Sequence, residues 1–291
     1  MSMRRVLIRF RYSNLVAVFV CGGLLASTLC IHSAFAFQKS DREKEGLIDN
    51  VHTVVTKASP HLFVDAYDPE GKLLEQAHDV LTWARKDPFP TRLVYTYDAK
   101  GYRTKATLYS AARTIKSITL YSNDLNGNTT AAVTTSKDDS SSTTNAFVYD
   151  DRGNRTRITS SSGSQVIVDI LYDYDGQGNR IKEVHSGVTE SEVHNSYDAQ
   201  GRITEQLTYA ADQSLRGKRI VSYDDRGNKS AETSYSKDGS VQRRTTYAYE
   251  YDSVGNWIKT MTREWVNKEG QLVPGEEVIE ERIITYYREE R

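Results

Sequence analysis

Apolar and polar positions alternate along most of this chain with a period of two. Val166, Val168, Ile170, Tyr172 and Tyr174 fall on one face of such a run, with Asp169 and Asp173 on the other. Leu93, Tyr95 and Tyr97 share a face, as do Tyr247, Tyr249 and Tyr251. Side chains alternate between faces in a strand, whereas a helix repeats every 3.6 residues, so the pattern predicts half-buried strands.

The runs are punctuated at a steady interval. Tyr-Asp recurs at Tyr67-Asp68, Tyr97-Asp98, Tyr149-Asp150, Tyr174-Asp175, Tyr197-Asp198, Tyr223-Asp224 and Tyr251-Asp252. Each tyrosine is followed four residues later by Gly71, Gly101, Gly153, Gly178, Gly201, Gly227 or Gly255. The double-length gap holds a worn copy with Asn123 in the tyrosine slot, followed by Asp124 and Gly127. That makes eight copies spaced by 30, 26, 26, 25, 23, 26 and 28 residues. Aspartate opening such a segment can bond the turn amides, and glycine in its fourth position tolerates positive φ. A type I turn closed by a left-handed glycine is a common hairpin connection. Asparagine follows the glycine in five copies, and a basic residue often comes next, as at Arg155, Arg180 and Lys229. A second tyrosine lies 12 residues after the first in three copies: Tyr109, Tyr209 and Tyr235.

Each unit therefore reads as strand, tight turn, strand, looser turn, giving roughly sixteen strands. One hairpin cannot bury its own face, but stacked hairpins cover one another. The predicted fold is all-β: an elongated, twisted or curved antiparallel sheet of tandem hairpins. The repeats span 61–262, preceded by an N-terminal cap at 37–60 and followed by closing strands at 263–291. Leu47 to Thr56 reads as an opening strand, with a short helix as the alternative. Val278 to Tyr287 reads as the closing strand, its exposed edge guarded by Glu276, Glu277, Glu280, Glu281 and Arg282.

Composition changes the picture at the N-terminus. Arg4, Arg5, Arg9 and Arg11 precede an uncharged apolar run, Leu15 to Ile31, and Ala34-Phe35-Ala36 follows. Residues 1–36 thus read as a secretory signal peptide, with an uncleaved membrane anchor as the rival. The expected location is outside the cytoplasm: periplasm, cell surface or medium. Removing four arginines leaves 34 basic against 39 acidic residues, a net of −5. That argues against a nucleic-acid partner. Cys21 and Cys30 both lie in the signal, and neither Val20 nor Leu29 fits a lipidation site. The mature chain then has no thiol for a disulfide, metal site or nucleophile.

The segment Tyr149-Asp150-Asp151-Arg152-Gly153-Asn154-Arg155 resembles the YD repeat of Rhs and wall-associated proteins, a likeness covering about residues 61–262. The resemblance implies a long spiralling antiparallel sheet, which in large members encloses a toxic C-terminal domain; some members are associated with carbohydrate or the cell surface. This chain has too few repeats to enclose a cargo. It also lacks the C-terminal Asp-Pro-x-Gly-Leu segment of self-cleaving members, since Asp68-Pro69-Glu70-Gly71 sits in the first repeat and precedes Lys72. It resembles a short exported member without a toxin domain.

Candidate chemistry is sparse. His52, His61, His78, His185 and His194 form no His-x-x-x-His or Glu-flanked metal motif. Asp173, Asp175, Gln177 and Gly178 resemble the start of a calcium loop, but the bidentate glutamate expected at its twelfth position falls on Val184. The serine-rich stretches at 140–142 and 160–164 hold no nucleophile elbow. Periodic carboxylates are better explained by the repeat than by one active site. No catalytic residue, metal or cofactor is expected. The tyrosines read first as packing ladders, and alternatively as an aromatic platform for sugars to which Trp83, Trp257 and Trp265 could add. The expected function is a non-catalytic binding surface or scaffold of the cell envelope, with carbohydrate or cell wall as partner. The alternative is an accessory or remnant of an Rhs-type toxin system that cradles a protein. A membrane is involved only through an uncleaved signal.

Overall fold

The computed structural model describes residues 40–59, 61–80, 91–138, 140–187 and 190–287. The expected signal at 1–36 and Trp83 lie outside them. One helical turn, α1 (Asp41–Lys44), precedes eighteen strands among the described residues. They are β1 (Val51–Ala58), β2 (His61–Tyr67), β3 (Leu73–Val80), β4 (Thr91–Tyr97), β5 (Arg103–Ser110), β6 (Ile115–Asn123), β7 (Thr129–Ser136), β8 (Ser142–Tyr149) and β9 (Arg155–Ser162). Then follow β10 (Gln165–Tyr174), β11 (Arg180–Gly187), β12 (Ser191–Tyr197), β13 (Ile203–Ala210), β14 (Leu215–Tyr223), β15 (Lys229–Ser236), β16 (Val241–Tyr251), β17 (Trp257–Lys268) and β18 (Gln271–Tyr286). Of the two readings of Leu47 to Thr56, the strand is the one formed from Val51 onward, and the helical turn lies upstream.

Every strand pairs antiparallel with its chain neighbours, and β18 pairs with β1, so the sheet closes into an up-and-down barrel. This corrects the expected elongated open sheet of about sixteen strands. The reason is geometric. Strands carry a right-handed twist, and the register slips by one residue at each Asp-x-x-Gly hairpin, for instance between Ala66 and Tyr67 and between Asp173 and Tyr174. Bulges of this kind bend a sheet, and joining its ends satisfies the backbone groups that two free edges would expose. Period-two alternation is the same in an open and a closed sheet. The expected guarded edge is corrected with it: Glu281 and Arg282 lie opposite Lys57 and Thr56 of β1, and only the part of β18 N-terminal to Glu281 runs past that pairing.

An up-and-down meander places alternate connections at opposite ends. All eight Asp-x-x-Gly segments, together with α1, lie at one end, called here the turn end. The inner wall carries the buried positions. Val54 and Thr56 of β1 face Ile284 and Arg282 of β18 on one side, and Asp65 and Phe63 of β2 on the other. The apolar cluster is local to the seam: Leu47, Val51, Val54, Tyr67, Leu73, Tyr95 and Ala106, with Val51 and Tyr67 essentially sealed from solvent. Further round, the buried inner wall turns polar, with Thr143, Asn145, Glu183, Asn195 and Thr260 alongside Ile170, Tyr172 and Val221. A chain short of leucine lines its barrel with tyrosine rings and paired polar groups instead.

Candidate functional site

The eight turns share one geometry. In each, the Asp amide donates to the carbonyl just past the glycine and the Gly amide donates back to the Asp carbonyl, as with Asp150 N to Asn154 O at 2.9 Å and Gly153 N to Asp150 O at 3.0 Å. Gly71, Gly101, Gly127, Gly153, Gly178, Gly201, Gly227 and Gly255 all take positive φ, between 73° and 105°. The Asp carboxylate accepts inside the loop as well: Asp150 Oδ1 takes the Arg152 and Asn154 amides, and its Oδ2 takes the Asn154 side chain at 2.9 Å. Asp175 does the same with Gln177 and Asn179, and Asp124 with Asn126 and Asn128. The Asp175 oxygens, part of the stretch that resembled a calcium loop, are thereby engaged in the turn. The hydrogen bond from the Asn179 side chain holds Asp175 below the ordinary carboxylate range.

The tyrosine slot ties each repeat to the one before it. Tyr97 donates to the Leu73 carbonyl at 2.6 Å, Tyr149 to Thr129 at 2.9 Å, Tyr174 to Arg155 at 2.7 Å, Tyr197 to Arg180 at 2.6 Å and Tyr223 to Ile203 at 2.8 Å. Every acceptor lies two residues past the preceding glycine. In the worn copy, Asn123 Nδ2 makes the equivalent bond to the Arg103 carbonyl at 2.8 Å. In the last repeat the bond to Lys229 comes from Tyr249 at 3.0 Å, while Tyr251 accepts from Asn228 at 2.7 Å. The seam reuses the device, with Tyr287 donating to the Tyr67 carbonyl at 2.6 Å. Burial raises the phenols of Tyr97, Tyr149 and Tyr174, the last to about 12, so these three remain protonated donors at neutral pH.

Basic residues just past the glycines lie against aromatic rings. The Arg103 guanidinium lies 4.1 Å from the Tyr95 ring centroid and Arg180 4.8 Å from that of Tyr172, distances at which a cation is drawn to the ring face. Arg180 also pairs with Glu183 at 3.0 Å, and Lys229 with Glu232 at 3.2 Å. Glu183 lies 3.4 Å from His185 as well. Burial raises the Glu183 carboxyl, but His185 and Arg180 outweigh it and hold the acid ionised. An acid engaged on both oxygens is poorly placed to pass protons to a substrate. His194 is engaged by Glu192.

The segment before β1 crosses the turn end and docks on both sides of the seam. Asp41 Oδ2 accepts from the Leu73 amide at 3.1 Å, Tyr97 at 3.0 Å and Arg103 at 3.1 Å. The Arg42 amide donates to the Gly71 carbonyl at 2.9 Å. On the far side Asn256 accepts from the Ile48 amide at 2.7 Å and donates to its carbonyl at 2.8 Å. Burial raises the Asp41 carboxyl, but Arg103 and Lys44 pull it below its ordinary value. Sequence reading passed over Asp41, because the partners that dock it on the barrel, Leu73, Tyr97 and Arg103, lie 32 to 62 residues away.

Next to this clamp, Asp65 sits in the inner wall. Burial pushes its carboxyl up to about 6, against a hydrogen bond from Gln76 at 2.9 Å. Among the described residues no group of three or more His, Cys, Asp or Glu side chains is placed to hold a metal.

The outer wall carries cross-strand ion pairs: Arg92 with Glu75, Arg157 with Asp169, Lys182 with Glu192, Lys259 with Glu250 and Arg263 with Glu277. Exposed apolar side chains such as Leu120, Val148 and Leu171 lie among them. Tyr109, Tyr209 and Tyr235 are on this outer wall. Tyr109 lies opposite Arg92, Lys218 stands 4.9 Å over the Tyr235 ring, and the His194 ring is 5.1 Å from Tyr209.

Several known proteins are similar. A porin-like protein from Bacteroides uniformis aligns over 81% of this chain and 98% of its own at 11% identity and a TM-score of 0.48. A porin-like protein from Bacteroides vulgatus aligns over 82% and 99% at 11% identity and a TM-score of 0.37. The Photorhabdus luminescens Tc holotoxin pore aligns over 71% of this chain but 13% of its own at 14% identity and a TM-score of 0.38. The barrel described above rests on its own register and not on these likenesses. No curated protein matches the sequence. The family described as RHS Repeat matches residues 149–189, the stretch from the Tyr149 turn through β11. The chain thus carries a match to the RHS repeat over one stretch, and the same turn recurs in its other repeats.

Proposed function

We propose that this chain is a non-catalytic scaffold, exported from the cytoplasm, whose barrel offers its outer wall as a binding surface at the cell envelope, with carbohydrate or cell wall as the partner. The observation that carries this reading is where the repeat residues spend their chemistry. The Asp carboxylates and slot tyrosines bond to the barrel's own backbone, which leaves binding to the side chains that face out. Tyr109, Tyr209 and Tyr235 occupy the same place in their repeats, half-buried beside a cation or an imidazole, and such amphipathic rings suit stacking on a sugar. The ion pairs support a wall that meets water. An Arg or Lys facing lipid at the bilayer midplane would cost about 2–4 kcal/mol.

Co-sedimentation of the purified protein with insoluble cell wall and a panel of polysaccharides tests the reading. Binding that falls at least tenfold when all three outer tyrosines become alanine is expected. A protein that stays in the supernatant with every polymer rules the carbohydrate partner out. A protein partner is favoured by one observation: β18 runs past its pairing with β1 and exposes Leu272, Val273, Val278 and Ile279. Stoichiometric recovery of one protein by cross-linking through that segment would support it.

A further inference from the structure

We propose that the edge of β18 beyond the seam pairs antiparallel with the same edge of a second copy of this chain, joining two barrels into a two-fold dimer. β1 covers β18 from Glu281 to Tyr286, whereas β17 pairs with it from Gln271 to Glu281. Among the described residues, Gln271 to Ile279 therefore have a strand on one side only, and all nine positions are exposed. Leu272, Val273, Val278 and Ile279 are the apolar side chains on this stretch. Such an edge offers unpaired backbone donors and acceptors to another strand.

The register is what selects a second copy. Glu277 lies opposite Arg263 and Pro274 opposite Trp265, so β18 takes three steps where β17 takes two. The extra residue falls at Gly275-Glu276, against Glu264: a Cβ added at 275 would lie 3.1 Å from the Glu264 carbonyl oxygen. A bulge of this kind shifts the alternation of faces by one residue. Val273 and Val278 therefore share one face, and Leu272 and Ile279 share the other. A two-fold axis perpendicular to the sheet, passing between Gly275 and Glu276, keeps every side chain on its face. It pairs Val273 with Val278 of the second copy, and Leu272 with Ile279 of the second copy, so each apolar residue meets another on its own face. The same register sets Gln271 against Glu280, Pro274 against Glu277 and Gly275 against Glu276, and no two acids stand directly opposite. An axis through Glu276 or Glu277 would set that acid against its own copy, which is destabilising. The charges thus disfavour the neighbouring registers and leave the one that pairs the apolar residues. Arg263 offsets the charge of Glu277 at 3.2 Å. Pro274 withholds one amide donor, which an edge strand tolerates. The proposal is independent of the carbohydrate reading.

Sedimentation velocity of the purified protein over about 1–300 µM tests it, a range suited to a small interface. A monomer–dimer equilibrium is expected. It should weaken at least tenfold in Val278→Glu and stay unchanged in Leu120→Glu, which alters a comparably exposed side chain on the outer wall, 57% against 54%. Adding Val273→Lys to Val278→Glu should restore the dimer, because each new lysine then faces a new glutamate across the axis. Salt should tighten the unmutated dimer, because Glu276 stands diagonal to its own copy beside the axis and salt screens that repulsion. Hydrogen exchange of the unmutated protein, a readout that needs no variant to fold, should show the 271–279 amides slowed at high concentration. A monomer at every concentration, a dimer as tight in Val278→Glu, or a double variant no tighter than Val278→Glu would overturn the proposal, and the first of these would leave the edge to a different protein.

Discussion

Asp65→Asn should make this protein more stable at neutral and alkaline pH, and the gain should vanish in acid. Asp65 stands in the inner wall between β1 and β3, with Val54 opposite it on one side and Gln76 on the other. Burial raises its carboxyl from 3.8 to about 6. Between those values the folded protein keeps a proton that the unfolded chain has released. Stability is therefore full below about pH 4 and falls as pH rises towards 6. Above that the folded state carries a buried carboxylate. The shift of about two units corresponds to at most about 3 kcal/mol at 1.36 kcal/mol per unit, and residual hydration of the site brings the expectation to about 1–3 kcal/mol. Asparagine keeps the acceptor for Gln76 and cannot ionise. Urea unfolding followed by circular dichroism at pH 8 and pH 4 measures both proteins. The variant should be more stable by about 1–3 kcal/mol at pH 8 and equal within error at pH 4. A difference of the same size and sign at both pH values would refute the account, as would a variant less stable at pH 8.

Three other perturbations probe the repeat and its seam. Tyr174→Phe deletes the bond to the Arg155 carbonyl while keeping the ring, and should cost about 0.5–1.5 kcal/mol by the same unfolding assay. Gly153→Ala and Gly71→Ala impose the same left-handed strain, at φ +82° and +84°, of about 1–2 kcal/mol. An added Cβ at 153 meets open space, whereas at 71 it would lie 2.9 Å from the Ser40 Cβ. Gly71→Ala should therefore cost more, and equal costs would mean that α1 does not press on that turn. Asp41→Ala removes the acceptor of Leu73, Tyr97 and Arg103, so limited proteolysis should cut between 40 and 50 at least tenfold faster than in the unmutated protein.

Much of this architecture is written locally. An Asp carboxylate reaches amides two and four residues ahead of it, and a glycine four residues past a tyrosine accepts positive φ, so each reversal draws on a handful of adjacent residues. Alternation at period two likewise needs only a strand and a wet or dry side, which is why the all-β antiparallel character is visible without coordinates. The match at 149–189 spans two of these reversals, those that follow Tyr149 and Tyr174.

What the residues do across repeats is a different matter. Asn123 breaks the tyrosine column on paper, yet its amide reaches the carbonyl its neighbours reach with a hydroxyl, because only the position of a donor over that carbonyl counts. Asp41 finds Tyr97 and Arg103 only after distant strands are in register. Closure is the clearest case. Lys57 meets Glu281 and Val54 meets Ile284 because twist and bulges accumulate over eighteen strands until the first and last lie side by side. No single repeat encodes that meeting. The chain's local chemistry specifies a sheet and its bends, and the summed curvature of the whole sheet makes it a barrel.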